Sequence, residues 1–140
     1  LTGKLTNVQT NRGGGMRLDL NNDKPIFLQF AEELEDGILR GIFPEETPIP
    51  SINEAAVRFK INPATANRGV NLLVDEDIIY KKRGIGMFVR AGARDRIIAK
   101  RRAAFYQSYV APMLGEAKKL GLAQDELIAM IERGDRRDHD

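Results

Sequence analysis

Apolar side chains recur at helical spacing from Asp23 to Arg40, the first amphipathic segment of the chain. They follow one another at intervals of three and four residues, and acidic side chains fill the positions between them. The apolar positions are Ile26, Phe27, Phe30, Ala31, Leu34 and Ile38, and the acidic positions are Glu32, Glu33, Glu35 and Asp36. This pattern predicts a core helix with an acidic exterior that is kept away from phosphate.

Two shorter helices are predicted between residues 51 and 79. Ser51 and Glu54 have the spacing of a capping box, in which each side chain bonds to a backbone N–H that the first helical turn leaves free. Asn62 before Pro63 marks a second start, because Asn accepts at the N-cap and Pro is tolerated at the first helical position. The predicted inward positions are Ile52, Ala55, Ala56 and Phe59 in the first helix, and Ala66, Gly69, Val70 and Leu73 in the second.

The second of these helices has a small, polar and singly charged outer face, which suits a DNA groove. That face comprises Ala64, Thr65, Asn67, Arg68 and Asn71. Asn can pair with an adenine edge in the major groove, and Arg can contact guanine or phosphate.

A basic hairpin is predicted next, from Ile78 to Val89, with a tip bounded by glycines. The cations Lys81, Lys82 and Arg83 immediately precede that tip. Two short helices followed by such a hairpin predict a winged helix-turn-helix, whose second helix enters the major groove while the wing lies along the backbone or the adjacent minor groove. The alternative interpretation is that these cations only keep an edge hairpin soluble. It is less favoured because a capped helix pair precedes the hairpin. A short strand is also expected near residues 47–49, in the proline-punctuated connection before the helix pair.

The remainder of the chain reads as a helical appendage. After a small-residue hinge at 90–93, a long helical pattern runs from Arg94 to Leu120, and Pro112 within it predicts a bend near Ala111. A last amphipathic helix is predicted over 124–133. Two such helices cannot close a core alone, so their apolar face is expected to pack on the winged domain or on a second copy of the chain, and a homodimer is the prediction made here. The predicted dimerisation residues are Ile98, Phe105, Tyr109, Met113, Ala117, Leu120, Leu127 and Ile131.

Charged side chains interrupt that apolar face at two positions. Arg102 and Glu116 fall on it beside Tyr106 and Tyr109. A charge there is either paired across the interface or available to a ligand, and both interpretations stay open. A ligand site would bind a small anion near Arg102 and the tyrosines, with Pro112 as a pivot.

Composition excludes several classes of function. The chain has 140 residues, no cysteine and one histidine, His139, so thiolate metal sites and the common catalytic constellations are absent. The Gly84–Gly86 segment lacks the third glycine and the setting of a dinucleotide loop. We therefore expect neither an enzyme nor a metal or cofactor site. The net charge of +2 is weak evidence for nucleic-acid binding, so the case depends on where the cations cluster.

The expected fold is mainly α with a small β-hairpin (α+β). A winged helix-turn-helix domain is predicted over 16–91, a dimerisation and effector region over 92–136, and a frayed tail over 137–140.

Residues 1–15 read as a loose arm or a non-native leader, with Met16 as the natural start. No apolar run approaches the roughly 18 residues of a membrane span and no secretory signal is visible, so no membrane partner and a cytoplasmic location are expected.

Three separated motifs stand in a fixed order along the chain, at Pro25–Gln29, Pro50–Ser51 and Arg83–Val89. In turn they resemble the Pro-Ile-Tyr-x-Gln opening, the Pro-Ser and the Arg-Gly-x-Gly-Thr-Phe-Val wing of the GntR family of bacterial transcription regulators. The short appendage, together with Ile61–Thr65, resembles the YtrA subfamily. The family often has Arg where this chain has Asn53, Pro63 and Asn67, so those cationic contacts are not carried over.

The resemblance implies a sequence-specific DNA-binding regulator. It would act as a dimeric repressor on a palindromic double-stranded operator, under the control of a small-molecule effector. A winged helix that binds protein or RNA is the alternative. The residues expected to contact DNA are Ser51, Asn53, Asn62, Ala64, Thr65, Asn67, Arg68, Asn71, Lys81, Lys82, Arg83, Gly84 and Gly86.

Overall fold

A computed structural model of the chain describes residues 18–19 and 23–139, with side-chain environments up to residue 136. The predicted leader over 1–15 and Met16 lie outside the described residues. The elements are helices α1 (Ile26–Leu39), α2 (Ile52–Phe59) and α3 (Pro63–Asp75), strands β1 (Ile79–Lys82) and β2 (Gly86–Val89), helix α4 (Ala93–Phe105), a π-helical turn (Tyr106–Val110), and helices α5 (Ala111–Lys119) and α6 (Gln124–His139). The predicted fold class, mainly α with one β-hairpin, is confirmed.

Helix α1 supplies the centre of the core in the first of two compact units. Its Phe30, Leu34 and Ile38 are buried together with residues of α3 and of both strands. Glu35, predicted on the solvated side, is instead buried with 2% of its surface exposed. The prediction was wrong because Glu35 lies four residues after Ala31 and three before Ile38, which places it within the inward stripe.

Gln29 connects the start of α1 to the preceding chain. Its side-chain oxygen accepts from the Asp19 backbone N–H at 2.6 Å, and its amide donates to the carbonyls of Asp19 and Lys24 at 2.9 and 2.8 Å. Gln29 itself is buried. A buried amide needs such partners, so these bonds fix how the chain enters α1. The part of the predicted extended segment that is described, Leu18–Asp19, is held there.

The helix pair begins where the sequence predicts. The Ser51 hydroxyl accepts from the Glu54 N–H at 3.1 Å, and the Glu54 carboxylate accepts from the Ser51 N–H at 3.0 Å. The Asn62 side chain accepts from the Ala64 N–H at 2.8 Å, and Pro63 is the first residue of α3. Between the helices Lys60 adopts a left-handed conformation with φ of 56°, which ends α2 and turns the chain. The four predicted inward positions of α3 are all buried.

The capping box predicts a pH dependence of folding. The bond from the Ser51 backbone N–H is the main reason that the pKa of Glu54 lies below its ordinary value of 4.5. A lowered folded-state pKa gives stability that is present above the unfolded value and is lost as the pH falls through the folded value. Glu54→Gln still caps but does not titrate. We therefore expect that acidification from about pH 7 to about pH 3 destabilises the wild type more than Glu54→Gln, as measured by urea unfolding. Equal losses would contradict this role.

The wing is a two-stranded antiparallel hairpin with a third segment along it. Strand pairing runs from Ile79 opposite Val89 to Lys82 opposite Gly86. The Ile49 N–H donates to the Met87 carbonyl at 2.9 Å, and the Val89 N–H donates to the Thr47 carbonyl at 3.0 Å. The strand expected near 47–49 is thus present as a short bridge, with Pro48 opposite Phe88. It covers one edge of the hairpin, which protects that edge from pairing with other chains.

The first compact unit ends at Ile98 and the second begins at Ala99, so the division falls inside α4. Ala93 and Ile97 are buried in the core of the first unit, which explains why the first turns of α4 belong to it.

The second unit contains the break expected around Pro112. The irregular turn covers Tyr106–Val110, where the Ala111 N–H bonds to the Tyr106 carbonyl, and α5 starts regularly with Pro112 in its first turn. The break therefore precedes the proline, because Pro112 lacks an N–H and clashes with the carbonyl four residues earlier. Helix α6 continues to His139, beyond residue 133, where the sequence predicts the last helix to end. Among the described residues, no helix is both long enough and apolar enough to cross a bilayer.

Candidate nucleic-acid interface

The outer face of α3 is accessible along its length. Ala64, Asn67 and Arg68 are exposed, and Thr65 and Asn71 are half-buried at the edges of the face. The small side chains at the start of the helix would allow its backbone to come close to a groove. The polar side chains on this face are of types that can contact base edges.

Arg68, the cation of this face, is stacked on an aromatic ring from α1. Its guanidinium carbon lies 3.9 Å from the centroid of the Phe27 ring. Periodicity assigns Phe27 to the core stripe, yet the ring is only half-buried and carries the arginine on its outer side. The direction of the Arg68 side chain is thus set by α1 as well as by α3.

Asn71 connects α3 to the wing. Its side-chain oxygen accepts from the Lys81 ammonium at 2.7 Å. The Asn71 side chain, which the sequence predicts to contact a base, therefore orients Lys81 of the wing. This bond uses only its oxygen, so the two N–H donors of the amide can bind a further partner.

The base of the wing carries an aromatic and cationic ladder. The rings of Tyr80 and Phe88 stack with centroids 5.8 Å apart. The Lys82 ammonium lies 4.7 Å from the Phe88 centroid, and the Arg90 guanidinium carbon lies 5.2 Å from the Tyr80 centroid. Because rings attract cations over their faces, this ladder holds positive charge along one side of the hairpin.

The tip of the wing is a tight turn. The Ile85 N–H donates to the Lys82 carbonyl at 2.9 Å, and Gly84 has a φ of +76°, a conformation that favours glycine. The Arg83 side chain is exposed, and so is Ile85, with 73% of its surface accessible. Sequence reasoning did not single out Ile85, although an apolar residue between two turn glycines is a signal of an exposed tip.

Two adjacent glutamates, Glu45 and Glu46, accept hydrogen bonds from β1 and from the chain that follows β2, and sequence reasoning missed both. The Glu46 carboxylate accepts from the Tyr80 hydroxyl at 2.9 Å and from the Ala91 N–H at 3.1 Å. The first of these bonds raises the pKa of Tyr80, so the phenol stays protonated and keeps donating at neutral pH. Glu45 accepts from the Gly92 N–H at 2.9 Å at the start of α4. These bonds join residues far apart in sequence, so no local signal reveals them.

The other residues expected at DNA flank this surface. Ser51 and Asn62 use their side-chain oxygens as helix caps, which leaves the Ser51 O–H and the Asn62 amide N–H groups as the atoms that could donate to phosphate. Asn53 is exposed on α2, and Gly86 is exposed at the start of β2. In the described part of the chain, no cluster of three or more His, Asp or Glu side chains is placed to hold a metal ion.

Most of the predicted dimerisation residues, all of which except Ile98 belong to the second unit, are exposed. Phe105, Tyr109, Met113, Leu120 and Ile131 are exposed, Ile98 and Leu127 are half-buried, and Ala117 is buried within the single chain. The rings of Phe105 and Tyr109 lie 5.4 Å apart. Of the residues expected at an effector, Arg102 and Tyr106 are exposed and Glu116 lies 3.9 Å from Lys119.

Comparison with known proteins identifies the group to which this chain belongs. A family model described as bacterial regulatory proteins, gntR family, matches residues 28–89, which run from α1 to the end of β2. The transcriptional regulator YhcF of Bacillus subtilis is 26% identical over 111 residues, 79% of this chain and 90% of YhcF. The transcriptional repressor YtrA of Bacillus subtilis is 26% identical over 83 residues, 59% of this chain and 64% of YtrA.

A solved structure extends the similarity beyond the wing. A protein from Bacteroides thetaiotaomicron, described as a transcriptional regulator of the GntR family, has a TM-score of 0.67 to this chain and 35% sequence identity. The match covers 81% of this chain and 99% of that protein. The family model, the helix pair with its wing, and this near-complete match to a solved relative agree, and the chain therefore belongs to the GntR family of bacterial regulatory proteins.

Proposed function

We propose that this DNA-binding regulator of the GntR family is a repressor that binds a palindromic operator as a homodimer. The observation that carries the proposal is the continuous surface formed by the outer face of α3 and the wing. Arg68 is exposed on α3, Lys81, Lys82 and Arg83 are exposed on the wing, and Asn71 bonds to Lys81 between them. A helix with adjacent cations of this kind suits a major groove and its flanking phosphates.

Repression and the subfamily rest on likeness to relatives. YtrA of Bacillus subtilis is described as a transcriptional repressor, and its 26% identity to this chain supports a YtrA-like role here. A cytoplasmic location follows from that role. The effector role of Arg102, Tyr106, Tyr109 and Glu116 stays a prediction, supported by the π-helical turn that carries both tyrosines, since such turns are frequent at functional sites.

The proposal is tested by selection from a library of random duplex DNA. The duplex recovered by the wild-type protein, called the selected duplex below, is then titrated at fixed salt beside a scrambled duplex and an RNA of the same sequence. We expect the selected duplex to bind roughly 10³-fold or more tightly than the scrambled one. Failure to enrich any sequence, or tighter binding to RNA, would contradict the proposal and favour an RNA-binding or protein-binding role.

The dimer predicts a response to a charge on the exposed apolar face. Ile131→Glu in α6 places a carboxylate on a residue that is exposed in the single chain, and burying that charge in an interface opposes association. We expect sedimentation equilibrium to give the dimer mass for the wild type and the monomer mass for Ile131→Glu. Arg133→Glu introduces a carboxylate two residues further along the same helix, at an exposed position that points away from the face of Leu127 and Ile131, and it should remain dimeric. A monomeric wild type would refute the dimer.

A further inference from the structure

We infer that Phe27 is a positioning residue for DNA recognition, whose ring fixes the direction in which Arg68 meets a base pair. The inference rests on the proposed function. Phe27 belongs to α1, which lies outside the helix pair, so it would act on DNA only through the arginine.

The contact between the two side chains is close. The Arg68 guanidinium carbon lies 3.9 Å from the centre of the Phe27 ring, well inside the roughly 6 Å range of cation–π attraction. Arg68 is exposed and Phe27 is half-buried, so the ring presents one face to the arginine at the border of the core. An otherwise flexible arginine is thereby held against a fixed surface.

The position of the ring is set by the backbones of two packed helices. A Cβ atom at Gly69, the residue after Arg68, would lie 2.9 Å from the Phe27 carbonyl oxygen and 2.8 Å from the Phe30 ring. The backbone of α3 therefore touches that of α1 beside the stacked pair. Because this approach is direct, Phe27 and Arg68 are located relative to each other without an intervening loop.

Stacking suits a guanidinium that must also read DNA. The guanidinium is planar and donates its N–H bonds in its own plane, so a ring over one face leaves the donating edge available. That edge can form the two-pronged contact with guanine O6 and N7. An arginine that is free before binding loses conformational entropy when it is ordered, which lowers affinity by a factor of roughly two to ten. A ring that already holds the arginine in place before binding removes this loss.

The test is a double-mutant cycle on the selected duplex at fixed salt. We expect Phe27→Leu to weaken binding roughly three- to tenfold, and Phe27→Tyr, which keeps the ring, to restore most of that loss. In the Arg68→Ala background, Phe27→Leu should cause no further loss. A repeated selection with Phe27→Leu should lose base preference at the same position of the duplex as a selection with Arg68→Ala.

Two outcomes would overturn the inference. One is an unchanged affinity of Phe27→Leu for the selected duplex. The other is an equal weakening of binding by Phe27→Leu in the wild type and in the Arg68→Ala background, which would show that the ring contributes only to packing. Urea unfolding of each variant measures that packing contribution directly.

If the wild type enriches no duplex, the proposed function fails. If the wild type and Arg68→Ala behave as expected while Phe27→Leu does not, only the positioning role fails.

Discussion

Gly69→Ala is expected to destabilise the first unit by a net amount of up to about 2 kcal/mol, because overpacking a well-packed core costs about 1 to 3 kcal/mol. The added Cβ would lie 2.8 Å from Phe30 Cδ2 and 2.9 Å from the Phe27 carbonyl oxygen. The second of these atoms belongs to the backbone of α1, so relief requires α1 and α3 to move apart. This cost should exceed the gain of about 1 kcal/mol that alanine normally has over glycine in a helix. Urea unfolding followed by circular dichroism measures the difference.

The same substitution at Gly134 is the matched control. This glycine lies within α6, and a Cβ added there would meet nothing within 4 Å. Gly134→Ala should therefore leave stability unchanged or raise it by up to about 1 kcal/mol. Should Gly69→Ala behave like Gly134→Ala, the close approach of α1 and α3 would be wrong, and with it the rigid base on which Arg68 is placed.

Arg68→Ala is expected to weaken binding to the selected duplex by roughly 1 to 3 kcal/mol. Arg68 is the exposed cation on the outer face of α3, and an arginine that contacts a guanine edge contributes to discrimination between bases. The loss should be much smaller on scrambled duplex. Fluorescence anisotropy titrations at one fixed salt concentration measure both affinities.

The wing provides the contrasting variant. Lys81→Ala, Lys82→Ala and Arg83→Ala combined should weaken binding to selected and scrambled duplexes alike, because phosphate contacts carry no base information. The slope of log affinity against log salt should become shallower by about 1 for each cation that no longer reaches a phosphate.

Two results with Arg68→Ala would contradict its role in reading bases. Equal weakening on the selected and the scrambled duplex would show that Arg68 binds phosphate, and unchanged affinity for the selected duplex would show that Arg68 lies outside the interface.

The parts of the fold that follow from the sequence are those specified by neighbouring residues. The starts of α2 and α3 depend on Ser51 with Glu54 and on Asn62 with Pro63, whose partners lie at most three residues apart. The inward face of α3 follows from its period. Glu35 belongs to the same class, because its spacing from Ala31 and Ile38 indicates burial even though its charge argues otherwise.

The contacts that complete the candidate site are of a different kind. Phe27 meets Arg68 across two helices, and Tyr80 bonds to Glu46 at a separation of 34 residues. Each of these contacts depends on how the helices and strands pack after they form, and no local sequence pattern predicts such packing. Likewise, Pro112 indicates that a helix breaks, whereas the π-helical turn that precedes it depends on which hydrogen bonds the chain rearranges.

Methylation interference on the selected duplex tests most directly whether α3 reads the major groove from a two-fold symmetric protein. Methylating guanine N7 places a group in the major groove only. We expect wild-type binding to be blocked at two symmetric sets of guanines, separated by about 10 bp or a multiple of it, and Arg68→Ala to become insensitive at one symmetric pair. Binding that tolerates methylation at every guanine, or that is blocked at a single unpaired site, would contradict the account.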